Sequence, residues 1–450
     1  MLRRKAYERL VAWKNQSKGQ TSLLLEGARR VGKTTLVKQF AKEQYRSFIF
    51  IDFSLASREL IELFESQRGD VDSFLSYLSV YTGTTLYQRD SVIIFDEVQL
   101  YPKARGFLKH LVADGRYDYI ATGSLISIKR NVESIVIPSE EESFELNPLD
   151  FEEFLEALEE HQLAQFLMES ATTLKPIPDL IHRKAMRRFR EYLLVGGMPQ
   201  AVKAYVESQD FQEVDKIKRN ILQLYRNDIA RYAKGYESKV IAIFEEIPAQ
   251  LSKGEKKFTL SSLGADARMR RYEDAFFWLD DAKIVNTCFN STDPNVGLGL
   301  HKDRLTLKCY MSDTGLLITH AFSDQRTTEQ NIYKRILFDK LSINEGMIAE
   351  NAVAQALHAS GHKLYFYSRS NRASREDSME IDFLIVRESG QKPKISPLEV
   401  KSTKRYATTS LGKFKLKFGS RVGEEVVLHT ANLLVEKNRI KLPLYLAAWL

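Results

Sequence analysis

Short, wholly apolar runs alternate with stretches of helical period through the first third of the chain. From Ser22 it reads Ser-Leu-Leu-Leu-Glu, followed by a glycine-bounded loop and then by Lys33 to Lys42 with apolar residues at helical spacing. This predicts strand, loop and helix, half of a βαβ unit. Phe48-Ile-Phe-Ile-Asp-Phe predicts a second strand, Val92-Ile-Ile-Phe a third and Tyr119-Ile-Ala-Thr a fourth, with helical patterns between them. Such alternation implies a parallel sheet, and its short apolar strands imply helices on both faces.

The pattern changes after about Phe144. Leu149 to Leu167 and Lys184 to Val206 are amphipathic helical patterns separated by Pro176 and Pro178. Ser238 to Leu251 predicts another helix. Leu260 to Val285 reads as helix, turn at Gly264, helix, then a strand at Ile284-Val-Asn-Thr, the order of a winged helix-turn-helix. The remainder predicts a helix at Glu345 to Ala359, a hairpin-like pair at Ile381 to Val386 and Pro397 to Lys401, and strands near Val426 and Leu442. The stretch Glu388 to Ser396 between the pair reads as turn-rich, and no internal repeat is visible.

Composition narrows the setting. A chain of 450 residues exceeds a single hydrophobic core, and 44% hydrophobic with 28% charged residues is ordinary for a folded globular protein. Cys288 and Cys309 cannot form a disulfide framework or a zinc site, which fits a reducing cytoplasm. No apolar run approaches a membrane span, and the basic start, whose apolar stretch ends at Trp13, is too short for an export signal. The net charge of +7 mildly favours an acidic partner such as nucleic acid. Its distribution is uneven: acids crowd Glu140 to Glu160, whereas Lys401 to Arg421 holds seven Lys or Arg and no acid. That run suits a phosphate backbone, and equally a solvated face.

Gly27-Ala28-Arg29-Arg30-Val31-Gly32-Lys33-Thr34 fits the phosphate-binding pattern G-x-x-x-x-G-K-[ST]. The glycines let the loop wrap with its N–H groups inward, and the next helix offers its positive end to phosphate. Residues Gly27 to Thr35 are therefore expected to cradle ATP or GTP, with Lys33 on the β and γ phosphates and the Thr34 hydroxyl on Mg²⁺. Asp96 and Glu97 directly follow the apolar strand Val92 to Phe95, at the carboxyl end where α/β sheets bind ligands. Asp96 is expected to hold Mg²⁺ through water, and Glu97 to polarise the attacking water. Thr122-Gly-Ser124 ends the next strand, where Ser124 suits a γ-phosphate or water contact. A strand-ending turn accounts for those residues equally well.

With these motifs in place, the chain resembles a prokaryotic family of AAA-type ATPases that carry a C-terminal domain of unknown function. Asp96-Glu-Val-Gln99, Asn147-Pro-Leu-Asp-Phe-Glu-Glu-Phe154, Tyr192-Leu-Leu-Val-Gly-Gly-Met-Pro199, Tyr310-Met-Ser-Asp-Thr-Gly-Leu-Leu317 and Glu380-Ile-Asp-Phe are similar to that family's recurring segments. The likeness runs from about Leu23 to Lys401. It implies an AAA-type P-loop core at 1–145, a helical region at 146–235, a winged-helix-like region at 236–320 and an α/β core resembling the PD-(D/E)xK (restriction-endonuclease-like) nucleases at 321–450. It also implies a homo-oligomer completed by an arginine from a neighbouring subunit, for which Arg116, Arg130, Arg187 and Arg188 are candidates.

A second site follows from strand alternation. Glu380 and Asp382 share one face of a strand, as do Glu399 and Lys401. If the two strands pair, Asp382 and Glu399 converge on a divalent ion, with Lys401 stabilising charge or orienting water. Glu350, on the helix upstream, matches the acid that such nucleases carry there. Taken alone, E-x-K is also the signature of a solvent-facing strand. Arg268, Arg270 and Arg271 precede the second helix of the winged-helix pattern, where cations suit DNA phosphates. The helix itself, Tyr272 to Asp281, carries four acids and much apolar surface, which favours packing or a subunit contact over insertion into a groove. Two readings follow: an ATPase acting on nucleic acid through a nuclease-like module, and a nucleotide-driven regulator of protein partners whose C-terminal core is a scaffold.

Overall fold

The structure is a computed structural model that describes residues 2–67, 69–124, 139–254, 257–264, 267–323, 345–369, 378–389, 392–403 and 405–450. The chain gathers into two compact units, Arg3–Asn147 with Asp281–Lys283, and Pro148–Asp280 with Ile284–Leu450. Among the described residues no helix is long and apolar enough to cross a membrane.

The first unit is built on five parallel strands, β1 (Ser22–Glu26), β2 (Ser47–Asp52), β3 (Ser91–Asp96), β4 (Asp118–Gly123) and β5 (Glu141–Glu145), in the order β2-β3-β4-β1-β5. β3 and β4 are buried along their whole length, as expected of strands covered on both faces. An aromatic cluster fills one side: Phe64 and Phe107 each meet Phe74 edge-on at 4.9 Å. Two of the helices around it start on side-chain caps. Ser57 accepts from Leu60 N at 3.2 Å, and Asp70 from Ser73 N at 3.0 Å.

The fifth strand, Glu-Glu-Ser-Phe-Glu, lies where acids crowd the sequence. It forms because its charges are matched. Glu141 takes the buried Arg105 guanidinium on both oxygens, Glu142 accepts from Thr21 at 2.6 Å, and Glu145 pairs with Lys283 at 2.7 Å. Phe144 supplies the apolar side, with the Arg9 guanidinium 4.4 Å over its ring.

The second unit holds an eight-stranded mixed sheet. Its strands are β6 (Val285–Ser291), β7 (Lys302–Met311), β8 (Tyr365–Arg369), β9 (Met379–Ser389), β10 (Lys392–Val400), β11 (Glu425–His429), β12 (Leu434–Glu436) and β13 (Arg439–Pro443). They lie in the order β12-β13-β11-β10-β9-β8-β6-β7. The helix Glu345–Ala359 packs on β7 and β10, and the helix Thr409–Phe418 on β9 and β10. Leu411 and Phe414 join Tyr367, Ile381 and Ile395 in a buried core.

Two sequence expectations change here. The stretch Glu388 to Ser396, read as turn-rich, is mostly ladder: β9 and β10 pair antiparallel from Lys392↔Ser389 to Leu398↔Phe383. Glu388 and Lys392 lie at the exposed ends of long strands. The expected boundary at 320/321 also falls between strands of one sheet. The helix Met269–Asp281 does lead into the antiparallel pair β6 and β7, but β6 further pairs with β8 in parallel at Phe289↔Tyr365. A two-stranded hairpin alone is marginal in water, and joining the sheet satisfies its inner edge.

Three of the five segments that carried the family resemblance meet in one buried place of this unit. Asp313 caps the helix Thr314–Ala321 by accepting from Leu316 N at 2.8 Å, and its other oxygen takes Gly197 N at 2.5 Å. A Cβ on Gly197 would meet Leu149 O at 2.1 Å, and one on Gly315 would meet Gly196 N at 2.5 Å. Only glycine admits that approach. Tyr192 donates to Leu149 O at 2.8 Å and receives Gln355 Nε2 at 3.0 Å, while Gln355 Oε1 accepts from Thr314 N at 2.8 Å. Lys218 closes the network from Nζ to Leu194 O at 2.6 Å and Gly315 O at 3.2 Å.

Candidate functional site

The phosphate loop leaves β1 at Gly27, whose φ of +152° belongs to glycine, and where a Cβ would meet Leu146 O at 2.5 Å. Ala28 and Val31 turn inward and are buried, whereas Arg29 and Arg30 are exposed. Gly32 caps the helix Lys33–Gln44 at φ 100°. The first-turn N–H groups of that helix, from Lys33 to Thr35, have no intrahelical acceptor. Lys33 is 7% exposed and donates from Nζ to Gly27 O at 2.9 Å and Ala28 O at 3.0 Å, so its ammonium lies across its own loop. This donor set fits phosphate: backbone N–H groups at a helix start, and a cation held against exchangeable loop carbonyls.

Asp96 sits at the carboxyl end of β3, 2% exposed. The Thr34 hydroxyl donates to it at 3.1 and 2.9 Å, and the Thr122 hydroxyl also donates to Oδ1. Burial raises the Asp96 carboxyl above its ordinary value, the two hydroxyls pull it down, and Glu97 and Asp52 push it up again. Such a carboxylate, solvated by hydroxyls and crowded by other acids, suits a hard cation. Glu97 adopts φ 55° and ψ 43°, a left-handed conformation that a non-glycine residue pays to hold. The Gln99 amide donates to its carboxylate.

β4 lies between β1 and β3, so the loop, Asp96 and Thr122 gather at neighbouring strand ends. Thr122 is the residue of the Thr122-Gly-Ser124 segment recorded on Asp96, and Ser124 follows the strand. Gln99 and Thr122 had no role in the sequence reading. Their signal was only that both lie inside motifs chosen for other residues.

The arginines considered for a neighbouring subunit have partners in their own chain. Arg116 pairs with Asp114 and Asp72, Arg187 with Glu191 at 3.9 Å, and Arg188 with Glu160 and Glu191, both at 2.8 Å. Arg130 lies outside the described residues.

The C-terminal acids have a different environment. Among the described residues no three Asp, Glu, His or Cys side chains are placed to hold a metal ion. Glu350, Asp382 and Glu399, expected to share one, each have a protein donor as partner. Glu350 accepts from Lys308 Nζ at 2.9 Å and from the Tyr310 hydroxyl. Asp382 accepts from Val400 N at 2.8 Å, and Glu399, 3% exposed, pairs with Lys401 at 2.9 Å. Burial, followed by repulsion from Glu350, pushes the Asp382 carboxyl up to about 7, against the pull of Lys308, Val400 N and Lys401. Lys308 was not singled out in the sequence, where it reads as one residue of an alternating strand.

Residues 19–155 match the family described as an AAA domain. Residues 186–327 and 345–448 match two domains of unknown function, DUF8612 and DUF4143. No curated protein matches the chain. Among solved structures, the chain is similar to the Aeropyrum pernix ORC1 protein in complex with DNA at 13% identity, over 72% of this chain and 93% of that one, with a TM-score of 0.26. It is similar to the Thermotoga maritima RuvB Holliday junction branch migration motor at 12% identity, over 63% and 89%, with a TM-score of 0.29. Cdc6p from Pyrobaculum aerophilum follows at 11% identity, over 75% and 94%, with a TM-score of 0.26. Likeness this slight says nothing of what the present chain binds or does. The match over residues 19–155, with the phosphate loop between β1 and its helix, makes the first unit a P-loop domain of the AAA type.

Proposed function

We propose that the chain is an ATPase whose reaction takes place at Lys33, Thr34, Asp96 and Glu97. The observation that carries this reading is the convergence of the Thr34 and Thr122 hydroxyls on Asp96, beside the strained Glu97, at the strand ends next to the phosphate loop. Mg²⁺ bound with the triphosphate supplies charge neutralisation at the phosphate oxygens. Thr34 and Asp96 would hold it. Lys33 exchanges the carbonyls of Gly27 and Ala28 for phosphate oxygens, and the loop N–H groups of Gly27 to Thr35 bind the rest. Glu97 orients the attacking water and accepts its proton. Ser124 remains a candidate for the same water. Lys33→Ala removes nucleotide binding, and undiminished ATP affinity in that variant refutes the assignment.

In the fuller reading the protein is a cytoplasmic homo-oligomer, with a winged-helix-like middle, in which ATP turnover repositions a nuclease-like C-terminal module acting on nucleic acid, DNA being the candidate. Support comes from the net charge of +7 and from the helix, helix and hairpin order leading into β7. DNA binding that falls steeply with salt would uphold it, and no binding at low salt would refute it.

One observation favours the other reading, a regulator of protein partners with a scaffold at its C-terminus. The basic run is largely engaged within its own unit. Lys415 and Arg439 share Glu425, Arg421 pairs with Asp293 at 2.7 Å, Lys417 donates to the Tyr367 hydroxyl at 2.7 Å, and Lys413 to Ser378 O at 3.2 Å.

A further inference from the structure

The nuclease-like reading implies a divalent metal among Glu350, Asp382 and Glu399, and the side chains present do not fit one. Lys308, on β7, reaches from a strand 42 residues upstream of Glu350 to put its ammonium between two acids of different elements. Nζ lies 2.9 Å from Glu350 Oε1, on the helix Glu345–Ala359, and 3.1 Å from Glu380 Oε1, on β9. The side chain is 6% exposed. The Tyr310 hydroxyl donates to the same Glu350 oxygen, and the Phe366 ring centroid lies 5.4 Å from Nζ. A second ammonium, Lys401, takes Glu399.

We infer that Lys308 is a built-in counter-cation that occupies the position of the metal, so that this sheet binds no divalent ion while Lys308 is in place. An ammonium directs three N–H donors at carboxylates and carries a full charge. A divalent cation needs the same oxygens as direct ligands. It cannot take Glu350 without displacing Lys308 from that oxygen, which leaves the buried ammonium with Glu380 as its remaining ion-pair partner. The inference rests on the nuclease-like reading of this sheet and is independent of the ATPase.

The test is Mn²⁺ binding to the nucleotide-free full-length protein, measured by electron paramagnetic resonance and calorimetry. Wild type, Asp382→Asn, Lys308→Met and the double variant are compared, with folding checked by circular dichroism. Wild type and Asp382→Asn are expected to bind Mn²⁺ identically, because Asp382 ligates nothing. Lys308→Met is expected to gain a site at least about tenfold tighter than any in the wild type, and Asp382→Asn in that background to remove it. If wild type binds Mn²⁺ and Asp382→Asn abolishes the binding, the inference fails and the nuclease-like reading survives. If folded Lys308→Met gains no site, both fail. If Lys308→Met does not fold, the comparison of wild type with Asp382→Asn decides alone.

Discussion

Asp96 in the first unit and Glu350 in the second are both acids beside a sheet, and they differ in what already neutralises them. Asp96 is met by the hydroxyls of Thr34 and Thr122. Hydroxyls solvate a carboxylate without cancelling its charge, so the site keeps its attraction for a cation arriving with a phosphate. Glu350 is met by the Lys308 ammonium, and Glu399 by that of Lys401. There the fold has spent the charge internally. A buried acid marks a cation site only when its partners are neutral.

The largest effect should come from Glu97→Gln. The amide keeps the size of the side chain and its place beside Gln99 but cannot accept a proton. ATP turnover should fall by about 10² to 10⁴-fold with ATP affinity near wild type, as read from steady-state kinetics and equilibrium binding. Loss of binding with turnover per bound ATP intact would remove Glu97 from the chemistry. Next comes Lys308→Met, which leaves the half-buried Glu350 and Glu380 without their cation. Urea unfolding should show a loss of about 3 kcal/mol, at the low end for an orphaned charge because both acids keep some solvent. A loss under about 1 kcal/mol, the range of exposed ion pairs, would mean that Lys308 behaves as a surface residue and that the contrast with Asp96 is false.

Much of this contrast was out of reach of the sequence, for particular reasons. β1 to β4 were legible because each is an apolar run bounded by turns. β5 was not, because Glu141, Glu142 and Glu145 stand out only as part of a crowd of acids until Arg105, Thr21 and Lys283 are brought to them. The phosphate loop is local, so eight consecutive residues declare it. The acid cluster is not local: Glu350 and Lys308 come from stretches that the sequence assigned to different domains. An E-x-K pattern reports which residues share a strand face and is silent on the ammonium brought over from another strand. Asn147 to Phe154, Tyr192 to Pro199 and Tyr310 to Leu317 were recognisable as recurring segments, but their reason for recurring, the close approach of Gly197 to Leu149 and of Gly315 to Gly196, exists only in three dimensions.

That hub offers an intermediate case, since Lys218 is buried among carbonyls with Asp215 and Asp313 as its acids. Burial lowers the Lys218 pKa to about 8, more than those two acids raise it. Between about pH 8 and the ordinary lysine value of 10.5 the unfolded chain therefore binds the proton and the folded chain does not. Stability should rise with pH across that window, by on the order of 3 kcal/mol from this group, with a constant penalty below it. Lys218→Met should flatten the rise in urea midpoints between pH 8 and 10. An unchanged slope would place the proton elsewhere.

The smallest predicted effect tests the neutral side of the comparison. Thr122→Val keeps the shape of the side chain on β4 and removes one of the hydroxyls on Asp96. If those hydroxyls only orient a carboxylate that a cation will neutralise, their loss should weaken Mg²⁺-dependent ATP binding by about tenfold, the usual scale for a group that supports a ligand without being one. Stability without nucleotide should drop by about 1.5–3 kcal/mol, because the buried Asp96 carboxylate loses a charge-assisted bond. At the same excess of Mg²⁺·ATP the ligand should therefore stabilise Thr122→Val by about 1.4 kcal/mol less than the wild type. If the variant instead binds Mg²⁺·ATP as tightly as wild type, Thr122 serves only the resting fold, and Thr34 alone links the loop to Asp96.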